Sequence, residues 1–142
     1  DPLWSRGLGD VYKRQGRLSL DIMHSAADLR LQTCRPQTSA LSAAEVATYL
    51  QALPEWQLQE GKIVRTYSFQ NYYRTLAFVN AIAYTIHTED HHPELVLTYK
   101  QCLVKYDTHS VNNGQGGLSL NDFICAAKLD AIYAQSVPRT AS

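Results

Sequence analysis

Between Asn71 and His109 the hydrophobic period changes once, at Pro93, and that change constrains the fold more than any other feature. Upstream, Tyr73, Leu76, Ala77, Asn80, Ala83 and Tyr84 recur at helical spacing, with Phe78, Val79, Ile82 and Ile86 widening the apolar stripe. Such a stripe predicts a long helix under a sheet, with apolar surface left over for a second subunit. Pro93 disfavours helical geometry at His92, so the helix is expected to end at the adjacent histidines. Downstream, residues 95–99 and 102–108 alternate apolar and polar side chains, as two strands joined by a short reversal do.

The flanking segments repeat this grammar. Ser42-x-x-Glu45 is a capping-box pattern, followed by Val46, Tyr49, Leu50 and Leu53 at helical spacing and by Pro54 as a stop. Trp56 and Leu58 share one face of an alternating run. After Glu60-Gly61, Ile63, Arg65, Tyr67 and Phe69 alternate with Val64, Thr66 and Ser68, which reads as a hairpin with a tight turn. Ser119-x-x-Asp122 opens a last helix. The order helix, two strands, helix, two strands, helix predicts an α+β fold: a four-stranded antiparallel sheet with three helices packed on one face.

This domain is expected over residues 39–136, with a tail over 137–142. Residues 16–38 are expected to form a mobile leader with one helical turn over 26–31. Residues 5–15, SRGLGDVYKRQ, back-translate into a sequencing adapter, so 1–15 are set aside as artefact and Met23 is the expected start.

Lys+Arg and Asp+Glu both number 13, which argues against a nucleic-acid or anionic-membrane partner. No apolar run reaches the roughly 18–20 residues needed to span a bilayer. Cys34, Cys102 and Cys125 are widely spaced and form no Cys-x-x-Cys, which suits a reducing compartment, with the cytoplasm as expected location. Cys102 and Cys125 read as small buried residues without a reactive environment.

Three of the five histidines fall within HTEDHH, residues 87–92. On a helix His87 and His91 would share a face, but HTEDH is not H-E-x-x-H and no third ligand stands at a familiar spacing. Imidazoles at a helix C-terminus also interact favourably with its carbonyls. A third reading is proton transfer near neutral pH. The strands after Pro93 return His109 toward the same end of the sheet, level with His91. Asp122 reads equally as a capping carboxylate and as a site residue. Tyr99 suits a packed strand position, and His24 carries no role.

The pattern His87-x-x-x-His91-His92-Pro93, then Tyr99, Thr108-His109 and Asp122, resembles the pterin-4a-carbinolamine dehydratase family. AFVNAIAYTIHTEDHHPEL and GLSLNDFICAAKLDAI are similar to its bacterial members. The resemblance implies the fold just described, in a homodimer or homotetramer. It also implies dehydration of 4a-hydroxytetrahydropterin to quinonoid dihydropterin without a metal or bound cofactor. The product is recycled for aromatic amino-acid hydroxylases, notably phenylalanine hydroxylase. His91, His92 and His109 would be the catalytic set, with His87, Pro93, Tyr99 and Asp122 binding substrate. Acid and base stay unassigned among the histidines. His91 and His109 are expected to transfer protons and His92 to orient the substrate.

Leu95 stands where many relatives carry tryptophan, and VNNGQGG is a longer turn that could displace Asp122 from His109. Some relatives act instead as dimerisation cofactors for a homeodomain transcription factor or as assembly factors. A non-enzymatic interaction role is therefore the alternative.

Overall fold

The structure is a computed structural model that describes residues 25–136. The adapter-like stretch, Met23, His24 and the tail over 137–142 lie outside the described residues. The elements are α1 (Ala26–Leu31), α2 (Ala43–Ala52), β1 (Gln57–Gln59), β2 (Lys62–Ser68), α3 (Tyr72–Glu89), β3 (Glu94–Leu97), β4 (Gln101–Tyr106), a 3-10 turn (Asn112–Gly114) and α4 (Leu120–Ser136). All pairings are antiparallel and the strand order is β1-β2-β4-β3. No helix among the described residues is long and apolar enough to cross a membrane.

Local chemistry sets the element boundaries. At α2, the Ser42 hydroxyl accepts from Glu45 N while the Glu45 carboxylate accepts from Ser42 N, closing the expected box. Glu60 and Gly61 both have positive φ, the backbone a two-residue hairpin turn needs to match strand twist. Helix α3 stops at Glu89 because Asp90 adopts the left-handed conformation and returns its N–H to the His87 carbonyl at 3.2 Å. His91 therefore lies past the helix end and does not share a helical face with His87.

The core lies between one sheet face and the helices. Ile63 and Tyr67 of β2 and Cys102, Val104 and Tyr106 of β4 meet Phe78 and Ile82 of α3 and Phe123, Ile124 and Leu129 of α4, all buried. Tyr67 packs on Phe78 with ring centroids 4.6 Å apart, and Tyr49 of α2 stacks on Phe123 at 5.1 Å. The buried side of α3 is Thr75, Phe78 and Ile82, whereas Tyr73 and Tyr84 face solvent.

From Ser25 onward the stretch expected as a leader is packed: Ser25 caps α1, which covers the 26–31 span of the expected helical turn, Leu29 is fully buried, and α1 lies against α4. The chain over 32–37 then runs as a strap along the start of α4, where the Asn121 amide accepts from Arg35 N at 3.0 Å and donates to Arg35 O at 2.7 Å. Thr108 and Gly117 exchange both backbone hydrogen bonds across the neck of the turn after β4, at 2.8 and 3.1 Å. Gly117 is required there, since a Cβ would come within 2.8 Å of the Ala40 Cβ.

Candidate active site

His91 is held at the junction of α3, β4 and α4. Its Nε2 lies 2.6 Å from Asp122 Oδ1, and its ring stacks on Tyr106 with centroids 5.3 Å apart and planes 14° from parallel. The Asp122 side chain is fully buried, and that of His91 is 13% exposed. A buried carboxylate needs its lone pairs filled. Asp122 Oδ2 accepts from Ser119 N at 2.9 Å and from the Thr108 hydroxyl at 3.0 Å. Asp122 thus caps the start of α4 and also holds His91. The capping box is only half formed, because the Ser119 hydroxyl pairs with Thr108 at 2.7 Å.

Burial is the largest single influence on His91 and opposes its charged form, but the Asp122 hydrogen bond and charge outweigh it and raise the imidazole above its ordinary 6.5. The ring opens into a cavity of about 330 Å³ lined by Cys34, Arg35, Gln37, Asp90, His91, Thr108 and Asn121 among others. That size falls at the lower end of the ~300–1,000 Å³ usual for small-molecule sites.

The other expected site residues divide. Thr108 belongs to the Asp122 network, which brings the next residue, His109, to the same end of the sheet. His109 is 84% exposed with Nε2 3.5 Å from Asp107, and His92 is 70% exposed with Nε2 3.7 Å from Asp90. Both stand outside the cavity lining. His87 is exposed in the last turn of α3, and Pro93 starts the chain into β3. Among the described residues, no three His, Cys, Asp or Glu side chains gather as metal ligands would.

Tyr99 does not join this site within the subunit. It lies in the β3–β4 turn, 64% exposed and stacked on Tyr72 at 5.7 Å, and its carbonyl accepts from Thr75 at 3.0 Å. Thr75 is near the start of α3 and His91 follows its end, so at ~1.5 Å rise per residue the two are separated by roughly 20 Å. The reversal at Thr98 and Lys100 puts every residue of that turn at the far end of the sheet.

Sequence reasoning missed the strap. Cys34, Arg35, Pro36 and Gln37 line the cavity together with Glu89, Asp90 and His91. The available local signal, Ser25-x-x-Asp28, is the same pattern as Ser119-x-x-Asp122 and marks only the helix before the strap, where Asp28 N donates to the Ser25 hydroxyl.

Comparison with known proteins follows the same lines. The sequence pattern of the family described as pterin 4 alpha carbinolamine dehydratase matches residues 39–132. A protein of Bdellovibrio bacteriovorus, provisionally named pterin-4-alpha-carbinolamine dehydratase, is 53% identical over 110 residues, 78% of this chain and 92% of that one. One of Nitrosomonas eutropha, with the same provisional name, is 48% identical over 107 residues, covering 75% and 91% of the two chains. A Brucella melitensis crystal structure, titled as a transcriptional coactivator/pterin dehydratase, superposes with a TM-score of 0.61 at 29% identity, covering 66% of this chain and 98% of that one. With the family pattern spanning the whole sheet and most of α4, the chain belongs to the pterin-4a-carbinolamine dehydratase family of hydro-lyases.

Proposed function

We propose that this chain dehydrates 4a-hydroxytetrahydropterin to quinonoid dihydropterin by histidine acid–base catalysis, supporting tetrahydropterin recycling for phenylalanine hydroxylase in the cytoplasm. The observation that carries this reading is the His91–Asp122 pair opening into the cavity. Loss of the 4a-hydroxyl as hydroxide is unfavourable near neutrality, so an acid must protonate it as it leaves. His91 suits that role, since Asp122 favours its protonated form. With Nε2 engaged by Asp122, Nδ1 is the ring nitrogen left to exchange a proton with substrate. A base must then take a proton from the pterin. His109, exposed and beside Asp107, is the residue assigned to it, and His92 is assigned to orient the substrate.

Each proton transfer of this kind contributes about 10²–10⁴-fold. His91→Ala is expected to lower kcat by that order with circular dichroism unchanged, measured on freshly generated 4a-hydroxypterin. Near-wild-type turnover of that variant would remove His91 from the mechanism. The Brucella title supports a second reading, a coactivator-like interaction role. A folded wild-type chain with no dehydratase activity but tight binding to another protein would favour it.

A further inference from the structure

Two of the three cysteines meet behind the cavity. Cys34 Sγ lies 3.4 Å from Cys125 Sγ, although the two are 91 residues apart in sequence. Cys34 sits half-buried on the strap and lines the cavity. Cys125 is fully buried in α4, one turn beyond Asp122. The proton-transfer chemistry uses neither sulfur. The sequence offered no reactive environment for Cys125, because its partner lies on the strap. Cys102 stands apart in β4, paired in register with Tyr67 and Leu97 toward the other end of the sheet.

We propose that Cys34 and Cys125 are a modification site: on exposure to a hydroperoxide they form a reversible disulfide that pins the strap to α4 as a fixed wall of the His91 cavity. The sulfurs need to approach by roughly 1.4 Å to reach the ~2.05 Å of an S–S bond. The movable partner is the strap, whose nearby backbone anchors are hydrogen bonds to Glu89 and Asn121 rather than a regular element. The existing contact also sorts the two thiols. Hydrogen bonding from Cys34 leaves Cys125 more acidic than an ordinary thiol despite its burial, with His91 and the Tyr106 hydroxyl helping. Among the described residues, that hydroxyl is buried without a conventional hydrogen-bond partner of its own.

The chemistry balances in two steps. Cys34 is the sulfur with access to the cavity, and it attacks one peroxide oxygen even though its contact with Cys125 and its burial push its thiol up and make it the less acidic of the two. The O–O bond breaks, the Cys34 proton goes to the departing oxygen, and Cys34 becomes a sulfenic acid. Cys125 then attacks the Cys34 sulfur in place. The S–S bond forms, the S–O bond breaks, and the hydroxide leaves as water with the Cys125 proton. Two electrons pass from the sulfur pair to the two peroxide oxygens.

The test uses the full chain, first reduced and then treated with hydrogen peroxide. The expected result is a fall from three free thiols to one, a mass lower by two hydrogens, and a Cys34–Cys125 peptide in a non-reducing digest. Dithiothreitol should reverse all three. The oxidised protein should melt several degrees higher, because the bond closes a long loop in the unfolded chain. Cys102→Ala should behave as wild type, and Cys34→Ser should remain folded and lose no thiol pair. Three persisting thiols, oxidation of Cys34 to sulfinic acid without a disulfide, or a bond between chains on a non-reducing gel would each overturn the proposal. None of these readouts depends on dehydratase activity, so the disulfide and the catalytic assignment stand or fall separately.

Discussion

At the scale of single residues, the site turns on which influence wins at His91. Burial alone would make the imidazole harder to protonate, and Asp122 reverses that. In a proton NMR titration the His91 ring should therefore titrate above 6.5, and in Asp122→Asn it should titrate lower than in the wild type, since the two leading influences that raise it are gone. A wild-type value at or below 6.5 would show that Asp122 does not govern the ring. The sign for stability follows from the same shift. A folded-state value raised above the unfolded one means that the pair's contribution is fully present below about 6.5 and is lost as pH rises through the folded value. If His91 is the acid, turnover falls over the same alkaline window. The sequence singled out Asp122, because a capping box and a histidine pattern both claimed it. It could not show that one carboxylate serves both, since that rests on Thr108 filling a third position across the α4 start.

At the scale of elements, capped helices and alternating strands were legible, and packing between distant pieces was not. Helix α1 has only six residues, too few to be stable alone, so its existence depends on burying Leu29 against α4. No local pattern reports such a long-range contact. Leu29→Ala should cost about 2–5 kcal/mol in urea unfolding, the range for emptying a buried leucine site. A cost near zero would return this segment to the status of a loose leader.

The Asp130 cluster makes the same point. Its carboxylate accepts from Trp56 Nε1 at 3.0 Å, Arg65 at 2.7 Å and the Tyr67 hydroxyl at 2.5 Å, tying α4 to β2 and to the chain before β1. In the sequence Asp130 stands 74, 65 and 63 residues from Trp56, Arg65 and Tyr67, and nothing local links it to them. Asp130→Ala leaves partly buried donors without an acceptor and should cost about 2–3 kcal/mol by the same measurement. Burial of Tyr67 and the adjacent Asp130 charge push the phenol well above its ordinary value, so it remains a donor throughout the neutral range.

At the scale of the whole molecule, self-association was expected because the stripe on α3 left apolar surface for a second subunit. On α4, Phe123, Ile124 and Leu129 are buried within the subunit, with Leu29 of α1 in the same core. The uncovered surface lies elsewhere. Among the described residues, strand β3 is an edge with only β4 beside it, and its Leu95, Val96 and Leu97 are all exposed. The opposite edge, β1, is three residues long and carries glutamine at both ends, the kind of short polar edge that resists pairing. A long-lived monomer would leave the β3 backbone and its apolar side chains in water, open to any other strand. The asymmetry between the two edges therefore predicts association through β3. Light scattering at micromolar concentration should give a dimer or larger assembly. Val96→Lys points a charge from the outer face of that edge and should shift the protein toward monomer with circular dichroism unchanged. A wild-type monomer would contradict the whole argument, whereas an assembly indifferent to Val96→Lys would move the interface to the exposed Tyr73 and Tyr84 side of α3.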